Sequence, residues 1–186
     1  ADLPDRLYTA AINQPVMPLH YQSIRPDPGQ AHWVLPGPIR AKYLSGQVDA
    51  VGAMREWIDY VDSLVARTQT KKARAEVAEA VELDKIAALA HSIELGGQID
   101  PITVVQTDSG WQIETGERRF WAHIYLIVAK PSSSDTTVTI PATKQKRIDP
   151  FRQAIENQFR DGLSAIAVGR ERREALLQPA VEPGVC

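Results

Sequence analysis

Along residues 49–66, DAVGAMREWIDYVDSLVA, apolar side chains recur at Val51, Met54, Trp57, Ile58, Val61, Leu64 and Val65, with polar residues between them. That spacing puts one apolar stripe along a helix of 3.6 residues per turn and predicts an amphipathic helix there. A second helix is predicted over 83–97, LDKIAALAHSIELGG. Asp84 suits its N-cap, Ile86, Leu89, Ala90 and Ile93 form its apolar face, and Gly96-Gly97 ends it. The period then changes to two. PITVVQT (101–107) and WQIET (111–115) flank the turn Asp108-Ser109-Gly110 and predict a β-hairpin.

A tight turn at Gly116 follows, then a helix from Glu117 to about Ala129. TTVTIPATKQ (136–145) alternates as a half-buried strand, and VMPL (16–19) predicts another short one. DPFRQAIENQF opens a helix at Asp149 with Pro150 in its first turn, and LSAIAVGRERREALLQ (163–178) predicts a last helix. SIRPDPGQ (23–30) reads as an extended connection, and LPGPIRAKYLSG (35–46) as turn-rich with a short helical end. RTQTKKARAEVAEAVE (67–82) is made of helix formers with little apolar contrast, which fits an exposed helix or a connector. Residues 1–15 show no period and read as a loose arm. Strands interleaved with helices predict an α+β domain.

Composition narrows the chemistry. The chain has 186 residues, 44% of them apolar, enough for one real core. A net charge of −2 provides no global basic field for nucleic acid, so any anion site must be local. The single cysteine, Cys186, rules out a disulfide framework or a Cys/His metal cluster. His20, His32, His91 and His123 have no ligand spacing. No segment has a signal-peptide pattern or membrane-spanning length, so a cytoplasmic or nucleoid-associated protein is expected, with no membrane partner. The loop-like ending VEPGVC fits a fragment of a longer chain.

Three constellations carry candidate chemistry. The first is Gly116 with Glu117, Arg118 and Arg119. A helix start carries partial positive charge, so two unanswered arginines there cost about 0.3–1 kcal/mol each. Exposed N–H groups at a helix start, a guanidinium fork and a glycine that admits close approach together suit a polyphosphate. Two surface arginines, one pairing with Glu114 or Glu117, and a glycine that simply makes a turn are the plainer explanation. The second is IENQFR (155–160): Glu156 and Arg160 are spaced for an i,i+4 ion pair, while Glu156 and Asn157 offer oxygen ligands for Mg²⁺ on a triphosphate. The third is GGQIDP (96–101), on its own a helix cap and turn. Lys71, Lys72 and Arg74 read as a solvated face, or else as a phosphate-contacting patch.

In this order the pieces resemble the N-terminal domain of the ParB family, the ParB/sulfiredoxin fold. SIRPDPGQ resembles the family's entry segment, DKIAALAHSIELGGQIDPITVV its helix, glycine loop and strand, IETGERRFWA its Gly-Glu-Arg-Arg box, and AIENQFRDGLS its Glu-Asn-x-x-Arg box. The resemblance implies a small mixed sheet with packed helices over 16–165, interrupted by a largely helical insertion at about 31–82, with a C-terminal helix and tail at 166–186.

It also implies a nucleotide site, with CTP as the first candidate. Gly97 and Pro101 would border the base. Gly116, Glu117, Arg118, Arg119 and Arg160 would form the phosphate site. Glu156 and Asn157 would hold Mg²⁺, and Glu156 would orient a water in any slow hydrolysis. A Mg²⁺-dependent conformational switch in DNA partition or another DNA-associated process is the function expected. DNA would be met through a local basic surface or another domain, and segment 49–82 would be a partner or homodimer surface, or a lid.

Several positions depart from the family pattern. No arginine follows Gln30, Asp100 replaces a frequent glutamine, and RDGL replaces Arg-x-Asp-Leu. No helix-turn-helix follows Leu163. The phosphate turn has no cysteine, which excludes sulfiredoxin activity. Two rival readings stay open. One is a ParB-fold nuclease or small-molecule phosphotransferase. The other is a DNA- or protein-binding module without nucleotide.

Overall fold

The computed structural model describes residues 15–30, 33–68, 74, 77–98, 100–130 and 138–149. All but Asp149 lie in the first of two compact units, Ala1–Ile148; the second is Asp149–Cys186. The elements run β1 (Val16–His20), a 3₁₀ turn (Tyr21–Ser23), β2 (Ile24–Pro26), α1 (Gly37–Leu44), α2 (Ala50–Arg67), α3 (Ala78–Gly96), β3 (Ile102–Thr107), β4 (Gly110–Thr115), α4 (Glu117–Ala129) and β5 (Thr139–Gln145). The fold is α+β, with one five-stranded sheet in the order β1-β5-β3-β4-β2. β1/β5 and β3/β4 pair antiparallel, while β3/β5 and β2/β4 pair parallel, so the sheet is mixed.

Alternation along the strands supplies the inner face. Ile102 and Val104 of β3, Ile113 of β4, and Ile140 and Ala142 of β5 are all essentially solvent-free. Against them pack Phe120, Trp121, Ile124 and Ile127 of α4. The helices close the core. Met54, Trp57 and Val61 of α2 are fully buried, as are Ala80, Ile86 and Ala90 of α3. Val51, Ile58 and Leu64, at the margins of the α2 stripe, are half-buried. α2 starts at a built cap: Asp49 Oδ1 accepts the Gly52 N–H at 2.7 Å, satisfying one of the orphan donors of a helix start.

Four local expectations are revised. α3 begins at Ala78, with Val77 at its N-cap, so Asp84 lies inside the helix. Asp84 takes Arg74 instead, whose Nε and Nη2 both donate to its Oδ1, at 2.9 and 2.6 Å. The extra turn forms because Ala80 and Leu83 reach the core, a tertiary gain that the weak local apolar contrast hides. The entry segment, read as a plain connection, contributes β2, which pairs with β4 through Ile24, Arg25 and Pro26. After the bend at Leu35, Gly37–Leu44 is a full helix, with Pro36 at its N-cap, Pro38 in its first turn and buried Ile39 as its anchor. β5 runs Thr139–Gln145 and Val138 lies outside it, while 136 and 137 are not among the described residues. Residues 1–14 of the arm expected over 1–15, Lys71 and Lys72, and all but Asp149 of the helices expected over 149–178 lie outside the described residues. No described helix is long and apolar enough to cross a membrane.

Candidate functional site

β4 runs into α4 through one residue, Gly116, and its conformation is fixed by packing. Its φ of 96° and ψ of 23° are left-handed, a region that a side chain rarely adopts. A Cβ there would lie 2.8 Å from Ile102 Cγ2, at the start of β3. The β3–β4 register shifts at Thr103/Val104, beside this turn, and such a bulge re-aims the backbone that follows it. Glycine is therefore required twice over, by φ and by space. It also leaves the start of α4 without a capping side chain, so the helix presents N–H groups and its positive pole at the turn.

Glu117, the first residue of α4, points inward. It is 7% exposed. Its Oε1 accepts from Trp121 Nε1–H at 2.9 Å and from the Val34 N–H at 3.4 Å, and its Oε2 accepts from Gln30 Nε2 at 2.7 Å. The carboxyl group thus ties the entry segment to the helix start. Burial pushes its pKa up to about 7, against the opposing pull of those three donors and of Arg118. Glu117 holds the turn in place. Asp27 performs a similar task within the entry segment, where its Oδ1 accepts from Gly29 N–H and from Gln112 Nε2.

The two arginines diverge. Arg118 Nη2 lies 2.6 Å from Glu82 Oε1 on α3. Arg119 Nη2 lies 3.4 Å from Asp100 Oδ2 in the glycine loop. Arg118 thus contacts Glu82 directly, and its charge also acts on Glu117. Both guanidinium groups retain some exposure, 33% and 23%.

The glycine loop is anchored beside them. Gly97 caps α3 with a φ of 74°, its N–H bonding the Ile93 carbonyl at 2.8 Å. Gln98 Nε2 donates to the carbonyls of Asp100 (2.8 Å) and Pro141 (3.2 Å). Its Oε1 must then accept, so the 2.7 Å contact with His123 of α4 is a bond from the Nε2–H of the ring. Burial lowers the His123 pKa, which keeps that ring neutral.

Of the predicted site residues, the structure brings together Gly116, Arg119 and the 97–101 loop that contains Gly97 and Pro101. Arg118 stands on the same helical turn, directed toward α3. Glu156, Asn157 and Arg160 lie outside the described residues. Gln98, His123, Glu82 and Gln30 position the site and were not singled out from sequence. They are ordinary polar residues whose roles arise from contacts distant along the chain. Among the described residues no group of three His, Cys, Asp or Glu side chains could hold a metal ion. This part of the site offers guanidinium groups and helix-start N–H donors.

The turn and loop have a counterpart among known families. Residues 61–131 match the model of the ParB N-terminal domain. The ParB-like stretch takes in all of α3, the glycine loop, the hairpin, the Gly116 turn and α4. It also takes in residues 61–82, which the motif order alone assigns to an insertion. No curated protein matches the chain. Among solved structures, the C-terminally truncated chromosome-partitioning protein ParB from Caulobacter crescentus, complexed with CTP-gamma-S, is similar with a TM-score of 0.41 and 15% identity, over 77% of this chain and 52% of that one. The chain thus spans about half the length of that structure.

Proposed function

We propose that this ParB-like domain binds a nucleoside triphosphate, with CTP the first candidate, at the Gly116 turn and acts as a ligand-dependent switch. One observation carries the reading. A glycine locked in a left-handed conformation opens an uncapped helix start, and the next two residues but one, Arg118 and Arg119, add guanidinium groups beside a glycine-capped loop. Phosphate oxygens suit N–H groups at a helix start, and a guanidinium matches them in fork geometry. Arg119 grips phosphate, Gly97 and Pro101 border the base, and Glu117 fixes the turn from beneath. Magnesium would arrive with the nucleotide, and Glu156 and Asn157 are its proposed protein ligands. Involvement in partition or another DNA-associated process follows from the ParB-like character of residues 61–131.

Calorimetric titration with CTP, ATP, GTP and UTP, with and without Mg²⁺, tests the reading. Wild type is expected to bind one of the four saturably. Arg119→Ala is expected to lose at least about tenfold in affinity, the scale of one charge-assisted contact. Folded wild-type protein that binds none of them would refute the nucleotide reading and favour a DNA- or protein-binding module.

A further inference from the structure

We propose that Glu82 is a built-in competitor for the anion at Arg118, so that ligand binding at the Gly116 turn releases a contact between α3 and α4. The inference rests on the phosphate reading above and assigns that site a regulator.

The contact is close but poorly formed. Glu82 Oε1 and Arg118 Nη2 are 2.6 Å apart, yet Oε1 is buried and has no aligned hydrogen-bond donor. The attraction is therefore between charges and lacks the directional bond that would make it strong. Among the described residues a second cation near Glu82 is Lys85, one turn along α3, whose Nζ stands 3.6 Å from Oε2. Half-buried and imperfectly satisfied, Glu82 neutralises Arg118 in the ligand-free protein while remaining a replaceable partner.

A triphosphate would reach Arg118 with several negative charges and with the N–H groups of the helix start on its side, which one misaligned carboxylate cannot match. Once displaced, Glu82 would carry its own charge beside the bound phosphate, and like charges at such range repel. The strain falls on the first turns of α3. Those turns are linked onward, because Arg74 binds Asp84 of α3 through Nε and Nη2 and lies 3.7 Å from Asp62 of α2. Occupation of the Gly116 turn is thereby felt by the helical layer formed by α2 and α3.

The test is a double-mutant cycle read by calorimetry with Mg-CTP and with inorganic tripolyphosphate. Glu82→Gln is expected to bind about three- to tenfold more tightly than wild type, the effect of removing one partly exposed competing charge. In an Arg118→Ala background the same substitution is expected to change nothing. Asp84→Asn, on the same helix but paired with Arg74, serves as the control and should leave affinity within about twofold. Ligand should also speed amide exchange over residues 78–85 in wild type and not in Glu82→Gln. Saturable binding by wild type that Glu82→Gln tightens, with the gain absent in the Arg118→Ala background, supports the inference. Wild-type binding that Glu82→Gln leaves equal or weakens overturns it while the phosphate reading stands. Binding by neither protein overturns both.

Discussion

Gly116 and Glu117 show how two adjacent residues divide the work of a site, one opening space and the other holding it. Gly116→Ala places a Cβ 2.8 Å from Ile102 Cγ2 at a φ of 96°, so a destabilisation of about 1–3 kcal/mol is expected in chemical denaturation. Gly96→Ala, where the new Cβ meets nothing within 4 Å, should be neutral or slightly stabilising.

Glu117 gives a pH signature of the opposite sense to an ordinary acid. Burial pushes its folded pKa up to about 7, above the ordinary carboxylate value of 4.5, so folding favours the protonated form. Its contribution to stability is full below about pH 4.5 and is lost as pH rises through about 7. The loss is on the order of 3 kcal/mol at most. Glu117→Gln keeps an acceptor for Trp121 and removes the charge, so its urea midpoint is expected to vary less between about pH 5 and 8 than that of wild type. Parallel profiles for the two proteins would show that Glu117 does not titrate in this range.

Among the elements, those with strong periodicity were legible in the sequence. α2, the hairpin and α4 declare themselves through Met54-Trp57-Val61, through the alternation of Ile102, Val104 and Ile113, and through the glycine before Glu117. β2 was hidden because three residues next to Pro26 and Pro28 have no period of their own and become a strand by pairing with β4. The start of α3 was hidden because Ala80 and Leu83 reveal their burial only against other helices. The site was legible to the same degree. Gly116 and the arginines stand together in sequence, whereas Glu82 and Asp100 meet them only through the fold. At this scale the N-cap is the simplest quantity to measure. Asp49→Ala is expected to cost about 1 kcal/mol and to lower the thermal midpoint by a few degrees.

At the scale of the molecule, the helical segment before α3 is structural and not an appendage. Trp57, fully buried within α2, belongs to the same cluster as Phe120, Trp121 and Ile140. Trp57→Ala is expected to cost about 3–5 kcal/mol and to destabilise sheet and helices in one cooperative transition. A biphasic melt with the sheet signal unchanged would show α2 to be separable. Trp57→Phe should cost much less, since the indole N–H it removes is buried without a partner. Because the core spans α2, α3, α4 and the sheet, a change in the pairing of Glu82 has a rigid layer through which to act.

The most direct measurement is a backbone NMR titration of the full chain with Mg-CTP, followed at the amides of Gly116, Glu117, Arg118 and Arg119 and of Gly97. Binding at the uncapped helix start predicts saturable shifts that are largest at 116–119, with smaller ones at Gly97. All of them should disappear in Arg119→Ala. Saturable shifts confined to other residues, with the 116–119 amides unmoved, would contradict the assignment of this turn as the phosphate site.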